Sequence, residues 1–303
     1  MKTELLPVVR NLLKTDAGRL HPLQVLARFG YLQVRRRMTP APFWFTTATG
    51  TRAFVDSRGD FTGITGLYYL QLPTLDELVF ACHCLNAGEV LWDVGANQGF
   101  WSLLLAGRGV EAHAFEPAPA TFANLERQFA AQSPPFRAHL HEHNVAFAAR
   151  PGKMRLTTDL GTANYLLQDG QAYAGQSVTV DITTVDAFRS VAPGPRVMKI
   201  DVEGWTLPVL EGAHDTLAAP ELQALVIETF RSADGDKPEV REAEALLARF
   251  GFRPFSYDPR ARVLHELTKP REGRDDTIYV RDPQGLSARL ATAPPVTCFG
   301  EQF

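Results

Sequence analysis

The sequence predicts an α/β fold: a doubly wound, mostly parallel sheet of seven strands behind an N-terminal extension of helices and a hairpin. Three observations carry that expectation. From Asp76 onward, short apolar runs alternate with amphipathic helical segments. Glycines follow the first such run directly, at Gly95 and Gly99, where a strand has to turn sharply into a helix. Repeated strand–helix order at these lengths demands right-handed crossovers, with helices on both faces of the sheet.

The elements follow in order. Residues 1–75 read as an extension packing on the core, with helices over 5–13 and 22–32 and a hairpin over 43–55 that turns near Thr49-Gly50-Thr51. Residues 76–283 read as the main domain. Its strands are expected at 89–94, 110–115 and 138–143, with helices over 100–106 and 118–131. Segments 153–158 and 178–183 read as strands inserted before the next unit. A strand over 197–202, a helix over 206–217, a strand over 225–229 and a helix over 238–250 come next, Pro208 being tolerable in a first helical turn. Strands at 253–257 and 277–280 close the domain, and 284–303, with Pro294-Pro295, reads as an irregular tail.

Composition narrows the classes. Hydrophobic residues make up 45% and charged residues 21% of the 303, an ordinary globular balance. A net charge of −3 gives no overall positive field for nucleic acid. Arg35-Arg36-Arg37 reads as a solvated charged face, the sharper alternative being an arm that binds anionic lipid or polysaccharide. Three cysteines argue against a disulfide framework and for a reducing compartment. Cys82-His83-Cys84 lacks zinc-site spacing and reads as buried thiols on a helix. His139, His141 and His143 alternate, which suits a polar strand edge better than a metal, and no metal is expected. With no leader-like start and no run of about eighteen apolar residues, the reading is a soluble cytoplasmic protein.

In an open parallel sheet, ligands bind at the carboxyl ends of the strands near the point where strand order reverses. The residues leaving each strand are therefore the candidates. After the first comes Asp93-Val94-Gly95-Ala96-Asn97-Gln98-Gly99-Phe100. Gly95 and Gly99 let backbone pass close to a ligand, the helix start offers free N–H groups to a carboxylate, and Asp93 stands where a carboxylate can meet an ammonium. Methionine's amino and carboxyl groups ask for this combination. Asn97 breaks the dinucleotide pattern G-x-G-x-x-G, and the Lys-Ser/Thr of a phosphate loop is missing.

The second strand ends at Phe115-Glu116-Pro117, where an acid can accept hydrogen bonds from both hydroxyls of a ribose. The third ends near Asn144, a polar side chain suited to an adenine amino group. The fourth ends Lys199-Ile200-Asp201-Val202-Glu203-Gly204-Trp205; alternation puts Lys199, Asp201 and Glu203 on one face if the strand persists that far. Glu228 ends the fifth.

Together these residues resemble the FkbM family of S-adenosylmethionine (SAM)-dependent methyltransferases. The resemblance rests on DVGANQGF (93–100), AFEPAPATFANL (114–125), HNVAFAARPGKMRL (143–156), VTVDITTVD (178–186), MKIDVEGWTLPVLEGA (198–213), LVIETF (225–230) and DDTIYV (275–280). It spans roughly 76–283, and the pair DVGAN and KIDVEG is its most specific part. The sequence departs at Trp205-Thr206-Leu207, where the family often has a small residue followed by an acid, so a reshaped acceptor pocket is expected.

The resemblance implies a class I SAM-methyltransferase (Rossmann-like) fold, SAM as cofactor, and methyl transfer, commonly to a hydroxyl oxygen of a sugar, glycolipid or secondary-metabolite scaffold. By position, Asp93, Gly95, Ala96, Asn97 and Gly99 would hold the methionine part, Glu116 the ribose and Asn144 the adenine side. Asp201 would lie near the transferable methyl as first candidate for the base, followed by Glu203 and Lys199 and then Glu228; a lysine base would need a depressed pKa. The expected partner is a small-molecule or glycan acceptor, not nucleic acid. The rivals are a non-catalytic SAM-binding scaffold, a methyltransferase acting on nitrogen or on protein, and a nicotinamide-dependent oxidoreductase, which Asn97 disfavours.

Overall fold

The computed structural model describes residues 5–39, 41–55, 62–168, 170–228, 238–268 and 276–303. The ends of two motif segments, Thr229-Phe230 and Asp275, lie outside them.

Among the described residues the central sheet has eight strands. Across it lie Leu140–His143, Glu111–Phe115, Val90–Val94, Val197–Ile200, Ala224–Glu228, Asp276–Val280, Arg253–Asp258 and Val263–Glu266. The first five are mutually parallel and the last three pair antiparallel. The strand beyond the expected seven is Val263–Glu266, a largely exposed edge without the apolar run that marks the others.

The parallel strands are nearly continuous apolar runs because helices cover both faces. Leu91, Leu103, Ala112 and Val226 belong to one buried cluster, and Trp92, Phe115, Met198 and Ile227 to another. From Val90–Val94 the chain winds outward through Glu111–Phe115 to Leu140–His143, then returns on the other side at Val197–Ile200. The switch point therefore lies between Val90–Val94 and Val197–Ile200, whose register pairs Lys199 with Asp93.

A second sheet is inserted after the third core strand. Ala146–Phe147, Ser177–Thr183, Gly152–Thr157 and Leu166–Leu167 lie side by side in it. The N-terminal helices Leu5–Lys14, Asp16–Leu20 and Pro22–Met38 send Leu12, Ala17, Val25, Phe29 and Leu32 into the first core cluster. The hairpin Phe43–Thr46/Arg52–Val55 is tied down by two glutamines. Gln128 accepts from the Phe54 N–H (2.9 Å) and donates to its carbonyl (3.0 Å), and Gln132 accepts from the Arg52 N–H (2.9 Å) and donates to its carbonyl (2.6 Å).

Three sequence expectations need correction. The fourth core strand stops at Ile200 rather than running to 202. The helix expected over 206–217 is two, Thr206–Glu211 and His214–Ala218, because the chain turns at Gly212, whose N–H bonds back to Pro208 and Val209. The tail is not irregular: Pro283–Thr292 is a helix, and a small hairpin pairs Thr297–Cys298 with Glu301–Gln302. Asp282 caps the helix by accepting from the Gly285 N–H at 2.9 Å, Pro283 suits its first turn, and Leu286 and Leu290 bury one face.

Candidate functional site

At the switch point a cavity of about 270 Å³ opens over the carboxyl ends of the parallel strands. Asp93, Gly95, Ala96, Asn97, Glu116, Asp201, Glu203 and Glu228 all line it. The sheet ladder continues into these loops and sets their positions. Gly95 and Ala96 donate to the Phe115 carbonyl (3.0 Å each), Asp201 to that of Val94 (2.9 Å), and Glu116 to that of His143 (3.0 Å).

The loop after the first strand holds an unusual backbone. Gly95 has φ 80°, and a Cβ there would overlap the Asp201 carbonyl oxygen. Asn97 takes φ 51°, a left-handed conformation that Asn tolerates better than most residues. Gly99 (φ 78°) lies behind the cavity, where a Cβ would strike Leu125 and Phe129. Its role is the close approach of loop and helix.

Asp93 is buried, and one carboxylate oxygen accepts from Ser102 twice, from Oγ at 2.7 Å and from N at 3.2 Å. Burial lifts its pKa to about 6. Glu116 is also buried. Its two oxygens accept one backbone N–H each, from Asn97 (3.0 Å) and Ala118 (2.9 Å), so each keeps acceptor capacity toward the cavity. Burial raises Glu116 to about 7, against those two bonds. Asn144 is exposed and lies outside the lining; its amide clamps the carbonyls of Glu116 (2.8 Å) and Pro117 (3.1 Å), which holds Glu116 in place.

The fourth strand delivers a charged cluster. Lys199, with only 2% of its side chain accessible, meets Asp201 at 3.2 Å and Asp276 at 3.1 Å and lies 5.8 Å from the centre of the Trp101 ring. Burial alone would lower its pKa, but Asp201, Asp276 and Glu228 outweigh it and raise it. Lys199 is thus a charged ion-pair partner and no base. Asp201 is 38% accessible, so an acceptor can reach it where it cannot reach Lys199. Burial opposes its ionisation, yet Lys199 and a hydrogen bond with Glu228 hold its pKa below the ordinary value. Glu228 goes the other way, raised first by burial and then by Asp201. Glu203 lies in the turn after the strand, on the cavity wall.

The structure adds residues that motif spacing did not reveal. The inserted sheet contributes Leu156 and Leu166, its connecting loop Thr162, Asn164 and Tyr165, and the extension Gly63. Trp101 and Trp205 line the cavity, and their indole N–H groups are buried without a partner among the described residues. Trp205 was visible as a departure from the family pattern, and Asp276 stands opposite Glu228 in the antiparallel register. The insert residues carry no motif that marks them.

The sequence model of the Methyltransferase FkbM domain matches residues 93–254, more than half of the chain and all the strand ends that build the cavity. The chain belongs to the FkbM methyltransferase family. Its fold is accordingly the α/β fold of the class I SAM-dependent methyltransferases, and its cofactor is SAM. Solved structures similar to this FkbM-family chain include a TehB-like SAM-dependent methyltransferase from Corynebacterium glutamicum, 10% identical, TM-score 0.38, covering 68% of this chain and 87% of that one. Another is fibrillarin from Aeropyrum pernix with natively bound SAM, 12% identical, TM-score 0.38, covering 64% and 67%. A search of curated sequences found no match. Among the described residues no group of three or more His, Cys, Asp or Glu side chains is arranged to hold a metal ion, and no helix is long and apolar enough to cross a membrane.

Proposed function

We propose that this methyltransferase methylates a hydroxyl oxygen of a sugar, glycolipid or secondary-metabolite acceptor, with Asp201 as proton acceptor. The observation behind this is the accessible Asp201 carboxylate on the cavity wall, 3.2 Å from the buried Lys199 ammonium, which favours its ionised form.

The cavity suits SAM on its own features. Glu116 presents two oxygens with spare acceptor capacity to a ribose, Gly95 leaves room for close backbone approach, and Asp93 offers a carboxyl to an ammonium. When bound, SAM supplies an electrophilic methyl group carried on a sulfonium.

The protein's own contribution is alignment and proton removal. Asp201 accepts a hydrogen bond from the acceptor hydroxyl and orients its lone pair. A hydroxyl oxygen gaining a carbon becomes strongly acidic, so even a carboxylate of low pKa can take its proton. Lys199, 3.2 Å away, keeps Asp201 ionised beforehand. Trp205, Tyr165 and the insert line the cavity and bound the space left beside Asp201, which suits a small acceptor group.

The test is a turnover assay over hydroxylated sugars and glycolipids, comparing wild type with Asp201→Asn. Turnover should fall by about a hundredfold or more while affinity for S-adenosylhomocysteine stays unchanged. Wild-type turnover in Asp201→Asn would remove Asp201 from the role.

A further inference from the structure

The helix Pro22–Met38 is apolar on two opposite sides. Val25, Phe29 and Leu32 face the core. Half a turn away, Leu23, Ala27, Gly30, Val34 and Met38 recur every three or four residues along the other side, flanked by Leu26 and Tyr31, and all of these are exposed. Leu23 is 78% and Met38 77% exposed, and Leu6 on the first helix reaches 83%. Of the eleven large apolar side chains exposed among the described residues, seven fall between Leu6 and Met38. Exposed apolar residues scattered singly need no explanation, but a concentration like this one does.

Charge is segregated onto the same segment. Residues 5–38 carry seven Lys and Arg against one acid, Asp16, which leaves 24 basic against 33 acidic residues in the rest of the chain. Some of the arm's arginines anchor it: Arg28 donates to the Tyr68 carbonyl at 2.6 Å, and Arg35 lies 4.8 Å from the centre of the Phe43 ring. Arg10, Lys14, Arg19 and Arg37 are exposed, and Arg37 falls within the apolar stripe itself.

We infer that the N-terminal helices dock the enzyme on an anionic lipid bilayer, with the stripe of Pro22–Met38 lying in the headgroup plane. Apolar side chains enter the acyl boundary while the basic residues meet lipid phosphates, the recognised combination for helices that lie on a membrane rather than cross it. The arginines of the helix suit that orientation and forbid spanning. A second copy of the chain is the weaker occupant, since a symmetric pairing through this face would set one basic arm against another.

The experiment is sedimentation of the full chain with phosphatidylcholine vesicles, with and without phosphatidylglycerol, and no cofactor or acceptor present. Binding is expected only with the anionic lipid and should weaken as salt rises. Replacing Arg10, Lys14, Arg19 and Arg37 together by Gln should reduce partitioning by roughly a hundredfold or more. The variant Leu23→Gln/Val34→Gln/Met38→Gln should lose binding as well, and both variants should keep the thermal midpoint and S-adenosylhomocysteine affinity of wild type. No sedimentation with anionic vesicles overturns the inference. So does a wild-type dimer that the apolar variant splits into monomers, which would assign the stripe to self-association.

Discussion

Asp201 and Lys199 are two residues apart on one strand end, yet they differ in the property that decides a catalytic role. Lys199 is sealed and held charged by carboxylates, whereas Asp201 is ionised and reachable. Lys199→Met would remove the buried ammonium that contacts both Asp201 and Asp276; the expected outcome is a loss of about 3 kcal/mol or more in unfolding free energy by denaturant titration. Glu116 gives a pH signature. Its pKa, raised to about 7 by burial, means that the carboxylate proposed to accept the ribose is partly protonated near neutrality. Affinity for S-adenosylhomocysteine should therefore increase as pH rises through about 7 and level off above it. Calorimetry on either side of that value checks this, and a flat profile in Glu116→Gln would assign the dependence to Glu116.

At the scale of elements, the hairpin depends on glutamine side chains that substitute for a missing neighbouring strand. Gln128→Ala strands a buried N–H and a buried C=O of Phe54, and should cost about 2–4 kcal/mol of stability, measurable by thermal unfolding. The edge strand Leu140–His143 carries a second liability. His143 and its neighbour His113 stack at 5.3 Å and are held to about 4, chiefly by burial, against an ordinary 6.5. Because the folded values lie below the unfolded one, these histidines cost stability as pH falls from about 6.5 to about 4. Asp93 and Glu116 have the opposite sign: their raised values cost the ligand-free protein stability as pH rises toward about 6 and 7. The thermal midpoint of a His113→Gln/His143→Gln variant should accordingly fall less than that of wild type on acidification. The core strands and the helix Phe100–Ala106 were legible because their apolar runs and flanking glycines are local signals. Val263–Glu266 was not, because an exposed edge strand needs no apolar pattern, and neither was the helix Pro283–Thr292, whose short run buries only Leu286 and Leu290 and lies between the breakers Pro283 and Pro294-Pro295.

Across the whole molecule, the strand ends converge because the order of the parallel strands reverses between Val90–Val94 and Val197–Ile200. That is why residues 93, 116, 201 and 228, scattered in sequence, share one cavity, and why their motifs could be read as a set. The cavity's far wall was not legible. Thr162, Asn164 and Tyr165 reach it only through the folding of the inserted sheet, and Asn144, assigned to adenine by position, turns its amide to the backbone of Glu116 and Pro117. Whether this cavity holds the cofactor is decided by calorimetric titration of wild type and Glu116→Ala with S-adenosylhomocysteine. Low-micromolar binding by wild type, weakened by about tenfold or more in a variant that keeps its fold, is the predicted result. Equal affinity in the two proteins would contradict the assignment of this cavity to the cofactor.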